Sequence, residues 1–363
     1  MTRPDVLVIG AGVTGTVAAI RLAEAGARVA LVDGGENAGS HANAGSLHVQ
    51  MQSRFMRLYP DQIPNVEASL PFYKAAADEW SGLEAELGPF ELVREGGLML
   101  AEGEEQLRFL EGKAARERRQ GLAAEILDRA ALDRLAPFLG PQITGAEICR
   151  EEGKLNPLLA NARLRERLRS LGLAVVPDRI EALEATGTGI RAIGRSRVHE
   201  AAEAVVAAAW GAGDLVAGVG ASVPTRAEPL HMNITEAAAP RIRHLIQHAE
   251  RSLTLKQFVS GQIVIGGGWP ARDRGRERVP EVLAPSLLGN VALAGRLVPS
   301  IRGLRVIRTW AGMNTTVDGA SVIGRLAAAP RVLMARPGDA GYTLGPLFGR
   351  LAAAVVAGGS PPM

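Results

Sequence analysis

Six residues near the start of the chain, Gly10-Ala11-Gly12-Val13-Thr14-Gly15, are spaced as G-x-G-x-x-G, and an acid, Asp33, follows at about the distance that would end the next strand. Each part suits a diphosphate. Gly10 permits a tight turn, Gly12 lets the backbone approach a pyrophosphate, and Gly15 lets helix and strand pack closely. Val13 and Thr14 open a helix whose free N–H groups and roughly half a positive charge favour an anion. The Asp33 carboxylate, with Gly34 beside it, can accept from a ribose hydroxyl and repels a 2′-phosphate. The pattern selects FAD or NAD over NADP and does not choose between them.

Two further groups bear on that choice. Residues 39–48 read Gly-Ser-His-Ala-Asn-Ala-Gly-Ser-Leu-His. Ser40 and Asn43 can donate to phosphate, and Ala44-Gly45 leaves room beside a ring system, with Ser46 next to it. His41 is read as a loop residue near the cofactor. His48 either orients substrate or flavin or is a hydrogen-bonded structural histidine. Near the other end, Gly312 lies in Trp-Ala-Gly-Met, and residues 337–346 read Pro-Gly-Asp-Ala-Gly-Tyr-Thr-Leu-Gly-Pro. Pro346 suits the first turn of a helix. Gly338, Asp339, Ala340, Gly341, Tyr342, Thr343 and Leu344 would then form a second Gly-rich loop feeding a helix N-terminus. A reduced flavin carries negative charge around N1 and O2 that such a terminus stabilises, which suits flavin better than nicotinamide.

Residues 39–48 resemble the flavin-contacting loop of the D-amino-acid oxidase family of FAD-dependent oxidoreductases, which includes glycine oxidase, sarcosine oxidase and D-amino-acid dehydrogenase. The form Asn43-Ala44-Gly45-Ser46-Leu47-His48 is similar to the β-type catalytic subunits of opine and hydroxyproline dehydrogenases and of hydrogen cyanide synthase. Trp310-Ala311-Gly312, Asp318-Gly319, Ile323-Gly324 and Gly341–Pro346 are similar to the family's C-terminal signature. Leu253-Thr254-Leu255-Lys256-Gln257 and Ile265–Trp269 look like substrate-domain strands of that subgroup. The resemblance spans nearly the whole chain. It implies noncovalent FAD, hydride transfer from the Cα of an amine or amino-acid substrate to flavin N5, and hydrolysis of the imine. A cation must hold the substrate carboxylate; Arg308, Arg336, Lys256 and Arg54 are the candidates, with Tyr342 and Trp269 as walls.

Two departures matter. The family's Ala-Ala-Gly before a dinucleotide-contacting loop is here Ala208-Ala209-Trp210-Gly211, so Trp210 puts bulk where backbone approaches closely. Sarcosine oxidases carry a lysine near the flavin for oxygen activation, and residues 262–265 offer none. That favours a dehydrogenase over an oxidase. Electrons would then pass to a second redox subunit, dinucleotide-binding or iron–sulfur, or to a membrane quinone. An NAD-dependent dehydrogenase and a subunit holding FAD structurally are the alternatives.

The elements that must position these residues alternate. A strand at 5–9, a helix at 13–25 and a strand at 28–32 form a βαβ unit. Residues 36–47 read as an irregular loop, 65–87 as helix, 92–100 as strand and 102–120 as a charged helix. A helix at 158–171, strands at 173–176 and 198–209, strands within 253–269 and a helix at 280–297 follow. Strands at 304–310 and 331–335 and a helix at 345–356 close the chain. The fold class is α/β (α+β overall): a Rossmann-like FAD-binding domain from 1–85, 151–217 and 298–363, with a mixed-sheet substrate-binding domain inserted as 86–150 and 218–297.

Composition excludes other classes. With 363 residues and 47% hydrophobic content, a sizeable core can be buried. Net charge is +3, the basic stretches are interleaved with acids, and aromatics make up 4%, so no nucleic-acid groove is expected. The single cysteine, Cys149, cannot hold an iron–sulfur cluster or a disulfide within the chain and reads as a small buried hydrophobe. His244 and His248, at i and i+4, read as a solvated face rather than a metal pair, and no metal site is expected. No signal peptide and no apolar run of membrane-spanning length is read. Cytoplasmic placement is expected, with peripheral attachment at the inner membrane also open.

Overall fold

The computed structural model describes residues 3–35, 39–239, 241–316, 321–338 and 340–359. Val6–Ile9 is an uninterrupted apolar run buried at every position. Such a run suits a strand covered on both faces, and this one pairs in parallel with Val29–Asp33 on one side and Glu203–Val206 on the other. They lie in a six-stranded sheet that runs Val322–Leu326, Ala329–Arg336, Glu203–Val206, Val6–Ile9, Val29–Asp33, Val175–Pro177. On one face Val6, Val8, Leu31 and Val205 pack against the helices Val13–Glu24, Pro157–Ser170 and Gly341–Val356. On the other, Leu7, Ile9, Val32 and Val206 meet a three-stranded antiparallel sheet, Ile180–Ala185, Ile190–Gly194 and Val198–Ala201.

A second sheet has eight strands, in the order Val306–Thr316, Arg226–Ala237, Gln262–Gly266, Thr254–Gln257, Leu245–His248, Gly97–Ala101, Gly145–Cys149, Ala124–Asp128. It is mixed: Leu245–His248 runs parallel to Gly97–Ala101 and the other described pairs are antiparallel. The helix Ala284–Leu297 packs in the core of one face, and Leu110 of the helix Glu104–Arg119 meets Met99 and Ala101 on the other. A Rossmann-like sheet joined to a mixed sheet is therefore the architecture.

Several expectations change in detail. Val306–Thr316, grouped above with the dinucleotide unit, pairs with Arg226–Ala237 from Arg226↔Thr316 to Thr235↔Val306 and so belongs to the second sheet. A strand's own pattern does not name its sheet; here the paired residues lie between about seventy and ninety positions apart. Residues 39–47 are not wholly irregular: Gly39–Ala42 forms one helical turn, and Ser46–Leu47 pairs with Gly153–Lys154. The strand expected from residue 92 begins at Gly97, because Glu84 Oε1 accepts the backbone N–H groups of Phe90 and Leu92 and bends the chain there. His244 and His248 are not solvated: Leu245–His248 is a buried strand, and both imidazoles are buried and hard to protonate, His248 pushed down to about 4.

The charged helix hides a fully buried ion cluster. Lys113 Nζ lies 2.7 Å from Glu117 Oε1 and 2.8 Å from Glu147 Oε2, and it donates to Gln50 Oε1 at 2.9 Å. Burial and the Glu117 charge push the Glu147 carboxyl well above the usual range, with Lys113 opposing. Cys149 is buried, and desolvation pushes its thiol up.

Candidate active site

One cavity of about 650 Å³ runs from the Gly10–Gly15 turn to the inner face of the eight-stranded sheet. Its first end is made mostly of backbone. Gly10 has φ +102°, and a Cβ there would stand 2.5 Å from the Ala207 carbonyl oxygen. At Gly15 a Cβ would lie 1.8 Å from the Gly10 carbonyl oxygen, so helix and turn touch as the spacing requires. The helix that begins at Val13 has neither a side-chain cap nor an acid in its first turn, and Val13 N donates to Ser40 Oγ at 3.0 Å. Asp33 is fixed at its strand end by Ala11 N and Gly35 N, each donating to its carboxylate at 2.6 Å. Gly12, Val13, Thr14, Asp33 and Gly34 all line the cavity.

The second group contributes Ser40, Asn43, Ala44, Ser46 and His48. His41 does not face the cavity; it is exposed, because one helical turn at Gly39–Ala42 carries Ser40 and Ala42 inward and His41 outward. Gly45 serves the turn rather than the cavity: its φ is +79°, its N–H donates to Asn43 Oδ1 at 2.7 Å, and a Cβ would stand 2.1 Å from the Leu155 carbonyl oxygen.

The C-terminal group delivers Gly312, Arg336, Gly338, Ala340, Gly341, Tyr342 and Thr343 to the cavity wall. The helix Gly341–Val356, like the first, has no side-chain cap and no acid in its first turn. Thr343 Oγ1 accepts the His48 N–H at 3.0 Å, joining the two loops. Asp339 and the Asp318-Gly319 pair lie outside the described residues. Leu344 is directed instead into the apolar cluster with Val49, Met51 and Phe348. Tyr342 lines the cavity, and its side chain is held from behind: its ring stacks on Trp80 at 5.1 Å, its hydroxyl donates to Asn161 Oδ1 at 3.1 Å, and burial pushes the phenol up.

Of the four candidate cations, Lys256, Arg54 and Arg336 reach the cavity. Arg308 does not: it is exposed on its strand, 5.9 Å from the Trp310 ring. Trp269 lines a separate shallow depression, with Nε1 donating to Ser252 O at 2.7 Å and its ring against Gly289. Arg336 is buried and donates to the Pro224 carbonyl, which ties it to structure. Arg54 pairs with Glu228 at 2.7 Å.

Lys256 is fully buried and, among the described residues, pairs with no carboxylate; Nζ donates to Ser46 Oγ at 2.7 Å. Desolvation, helped by the charge of Lys154, pushes it down to about 7. Its strand neighbour is Val264, directly opposite in the antiparallel register. The lysine that residues 262–265 lack thus has a counterpart one strand over, on the same side of the sheet.

Ala209, Trp210 and Gly211 form a 3-10 turn at the cavity wall, with Ala209 at φ +48°. The indole of Trp210 is half-buried and is covered by the Arg276 guanidinium, 5.2 Å from its ring.

Sequence reasoning missed Glu228 and His231. Both sit on Arg226–Ala237, where polar residues at 231, 233 and 235 alternate with apolar ones, a signal visible in the sequence. His231 is buried and held low by desolvation, with Nε2 2.9 Å from Asn233 Oδ1. Glu152, Gln50 and Gln247 were missed as well. Glu152 is buried and accepts from Val49 N, Gln50 N, Gln50 Nε2 and Gln247 Nε2 at 2.7–3.2 Å.

The family described as FAD dependent oxidoreductase (DAO) matches residues 5–355. The chain belongs to this family. A curated relative, glycine oxidase from Bacillus licheniformis, is 25% identical over 98% of this chain and 94% of its own length. Two solved structures are similar in fold. Glycine oxidase from Geobacillus kaustophilus superposes with a TM-score of 0.85 at 22% identity, covering 99% of this chain and 96% of that one. L-proline dehydrogenase from P. horikoshii superposes with a TM-score of 0.84 at 18% identity, covering 99% and 94%. FAD is therefore the cofactor, and the NAD alternative falls. The residues fit it: a tight Gly10–Gly15 turn where a Cβ at Gly10 or Gly15 would strike backbone, two helix N-termini with no acid in the first turn, and an acid, Asp33, held at its strand end beside that turn. Among the described residues no group of three or more His, Cys, Asp or Glu could hold a metal ion, and no helix is long and apolar enough to cross a membrane.

Proposed function

We propose that the chain oxidises the C–N bond of a small amino acid, imino acid or opine-like secondary amine. The observation that carries this reading is the junction of two unlike ends in one cavity: the backbone-built diphosphate end opens onto a chamber containing the buried cation Lys256 and the Arg54–Glu228 pair. FAD, when bound, supplies the hydride acceptor for the substrate's Cα hydrogen. The chain's own part is to hold the substrate. Lys256 and Arg54 take the carboxylate, and Glu228 faces the amine side. The similar proteins support a small substrate of this class: they include a glycine oxidase, an L-proline dehydrogenase, an iminodiacetate oxidase and an L-amino acid deaminase.

Within this reading the chain is a dehydrogenase of the opine/hydroxyproline type, passing electrons to a second redox subunit or a membrane quinone. Its support is the resemblance of residues 43–48. The position of Lys256 favours a second reading, a true oxidase. We also assign 1–85, 151–217 and 317–363 to the FAD-binding domain and 86–150 and 218–316 to the substrate-binding domain.

The test is anaerobic mixing of the yellow protein with a panel of amino and imino acids. Bleaching of the flavin absorbance identifies the substrate, and no bleaching by any of them would return the protein to a structural FAD-binding role. Aerating the reduced protein separates the two acceptor readings: slow reoxidation supports the dehydrogenase, and rapid stoichiometric peroxide supports the oxidase.

A further inference from the structure

Three histidines line the cavity, and two are committed elsewhere. His231 is buried, its Nε2 faces Asn233 Oδ1, and desolvation disfavours its charged form. His248 uses Nδ1 to accept the N–H groups of Glu250 and Arg251, each at 3.0 Å, and its carboxylate neighbour Glu102 is already bound by Arg251 and Arg296. Each of the three has one buried ring nitrogen without a hydrogen-bond partner, Nδ1 of His48 and His231 and Nε2 of His248. His48 differs in that its side chain is 23% exposed, with the exposure carried by the rest of the ring, while the other two are buried.

Behind His48 stands Glu152, whose Oε1 lies 3.8 Å from that Nδ1. Glu152 is fully buried, and no Lys or Arg pairs with it among the described residues. Four N–H donors, two backbone and two from Gln50 and Gln247, hold its carboxylate in place. A buried carboxylate with no cation faces a buried imidazole nitrogen with no acceptor. Each supplies what the other lacks.

We propose that Glu152 is a positioning residue. It draws the His48 proton to Nδ1 and so turns the lone pair of Nε2 into the cavity, where it accepts the proton of the substrate's ammonium group. This inference rests on the proposed amine oxidation. A protonated amine has no lone pair to assist loss of the Cα hydride, so one N–H bond must break first. In this step that bond breaks, its electron pair stays on the amine nitrogen, and the proton forms the Nε2–H bond of His48. Glu152 then faces an imidazolium rather than a neutral ring, and the two charges lie side by side out of water.

The other charges around His48 do not supply this function. Ser46, two residues before it, pairs with the strand of Lys154 and binds Lys256, and both of those groups are amines whose charge burial disfavours. Thr343 on the C-terminal helix holds only the His48 backbone. Lys113 reaches Gln50 and Glu117 reaches Met51 N, which makes them supports of the loop that carries Glu152's donors. Arg54 and Glu228 neutralise each other.

The test begins with the FAD-free protein labelled with 15N-histidine. Of the six histidines, the His48 signals are assigned by their loss in His48→Gln. The wild type should show the Nδ1–H tautomer above neutral pH, and Glu152→Gln should shift the ring toward Nε2–H. An Nε2–H tautomer in the wild type overturns the proposal, and that measurement stands even if the variant is insoluble. In the FAD-loaded protein with a bleaching substrate, Glu152→Gln and His48→Gln should each slow flavin reduction at neutral pH by about tenfold or more. The loss should shrink as pH rises and the free amine supplies itself. A loss equal at every pH would overturn the proton-transfer role. Failure of every amine to bleach the flavin would instead sink the oxidation reading and leave the tautomer result intact.

Discussion

The two ends of the cavity are built by opposite means. The diphosphate end is made of backbone from short contiguous runs, with glycines at Gly10, Gly12 and Gly15 and a helix start immediately after them. The chamber at the other end is made of side chains drawn from separated elements: Arg54 on the short helix Ser53–Leu58, Glu228 and His231 on one strand, Lys256 on another. Backbone recognition tolerates almost any sequence around its glycines and almost no change at them. Side-chain recognition does the reverse: each group can be replaced without unfolding the sheet, and each replacement changes what binds.

The sharpest way to break that comparison is at Gly15. A valine there would put Cβ 1.8 Å from the Gly10 carbonyl oxygen, and neither backbone segment can yield without opening the turn. Overpacking of this kind costs about 1–3 kcal/mol or more and displaces the N–H groups aimed at the diphosphate. Gly15→Val should purify colourless, with less than about a tenth of the wild-type flavin by absorbance. A fully loaded Gly15→Val protein would mean that the turn does not hold the cofactor.

The same contrast explains what could be read from the sequence. The Gly10–Gly15 turn, Asp33, Ser40 and the helix start at Gly341–Thr343 were legible because local spacing determines their geometry. The chamber was legible only as a set of residue types. Arg308 and Lys256 are both basic residues on strands, and nothing in their neighbours says that one points to solvent and the other into the cavity. Strand pairing decides: Lys256 lies in the middle of the eight-stranded sheet and Val306–Thr316 at its edge. What holds Tyr342 in place was hidden for a related reason. Its partner Trp80 lies far away in sequence, and only packing brings the two rings together. Glu152 was invisible because its role is made by donors from Val49, Gln50 and Gln247.

Lys256 offers the next largest effect, with opposite signs for stability and binding. Its folded value is near 7 against 10.5 for a free lysine. Between those values the unfolded chain holds more protons than the folded one, so stability rises with pH through that window and is lowest below about 7, where the buried ammonium is charged. Lys256→Met removes that cost. The variant should gain several kcal/mol at most in the FAD-free protein at pH 6, by thermal or urea unfolding, and little at pH 10. It should also weaken binding of a carboxylate-bearing substrate by about tenfold or more. Unchanged stability at pH 6 would show that the ammonium has a partner or solvent, and unchanged binding would remove Lys256 from the carboxylate site.

Arg54 and Arg308 make a matched pair. Arg54→Leu strips the chamber of one cation and leaves Glu228 alone, so KM for a carboxylate substrate should rise about tenfold, equivalent to roughly 1.4 kcal/mol. Arg308→Leu changes only an exposed side chain over Trp310 and should leave kcat and KM within about twofold of the wild type. If Arg308→Leu raises KM as much as Arg54→Leu, the chamber extends beyond the cavity described above.

The smallest effect belongs where the two ends meet. The charged segment at residues 272–281 leaves the second sheet and reaches over the dinucleotide side. Arg276 pairs with Asp214 and covers Trp210, and Glu277 pairs with Arg195 at 2.6 Å. These contacts are exposed, so each ion pair stabilises only weakly and is screened by salt, and the guanidinium–indole contact contributes about 0.5–1 kcal/mol. Trp210 sits on the cavity wall, so what holds its indole also shields the cofactor's path out. Arg276→Ala removes one ion pair and the ring contact, while the Arg195–Glu277 pair persists. FAD should then leave about three- to tenfold faster, measured by capture of released flavin by an apoflavoprotein. Raising the salt concentration should speed release from the wild type and narrow the gap, because exposed charges are screened. If Arg276→Ala and the wild type release FAD at one rate at low salt, the segment is merely surface, and Trp210 stays in place without it.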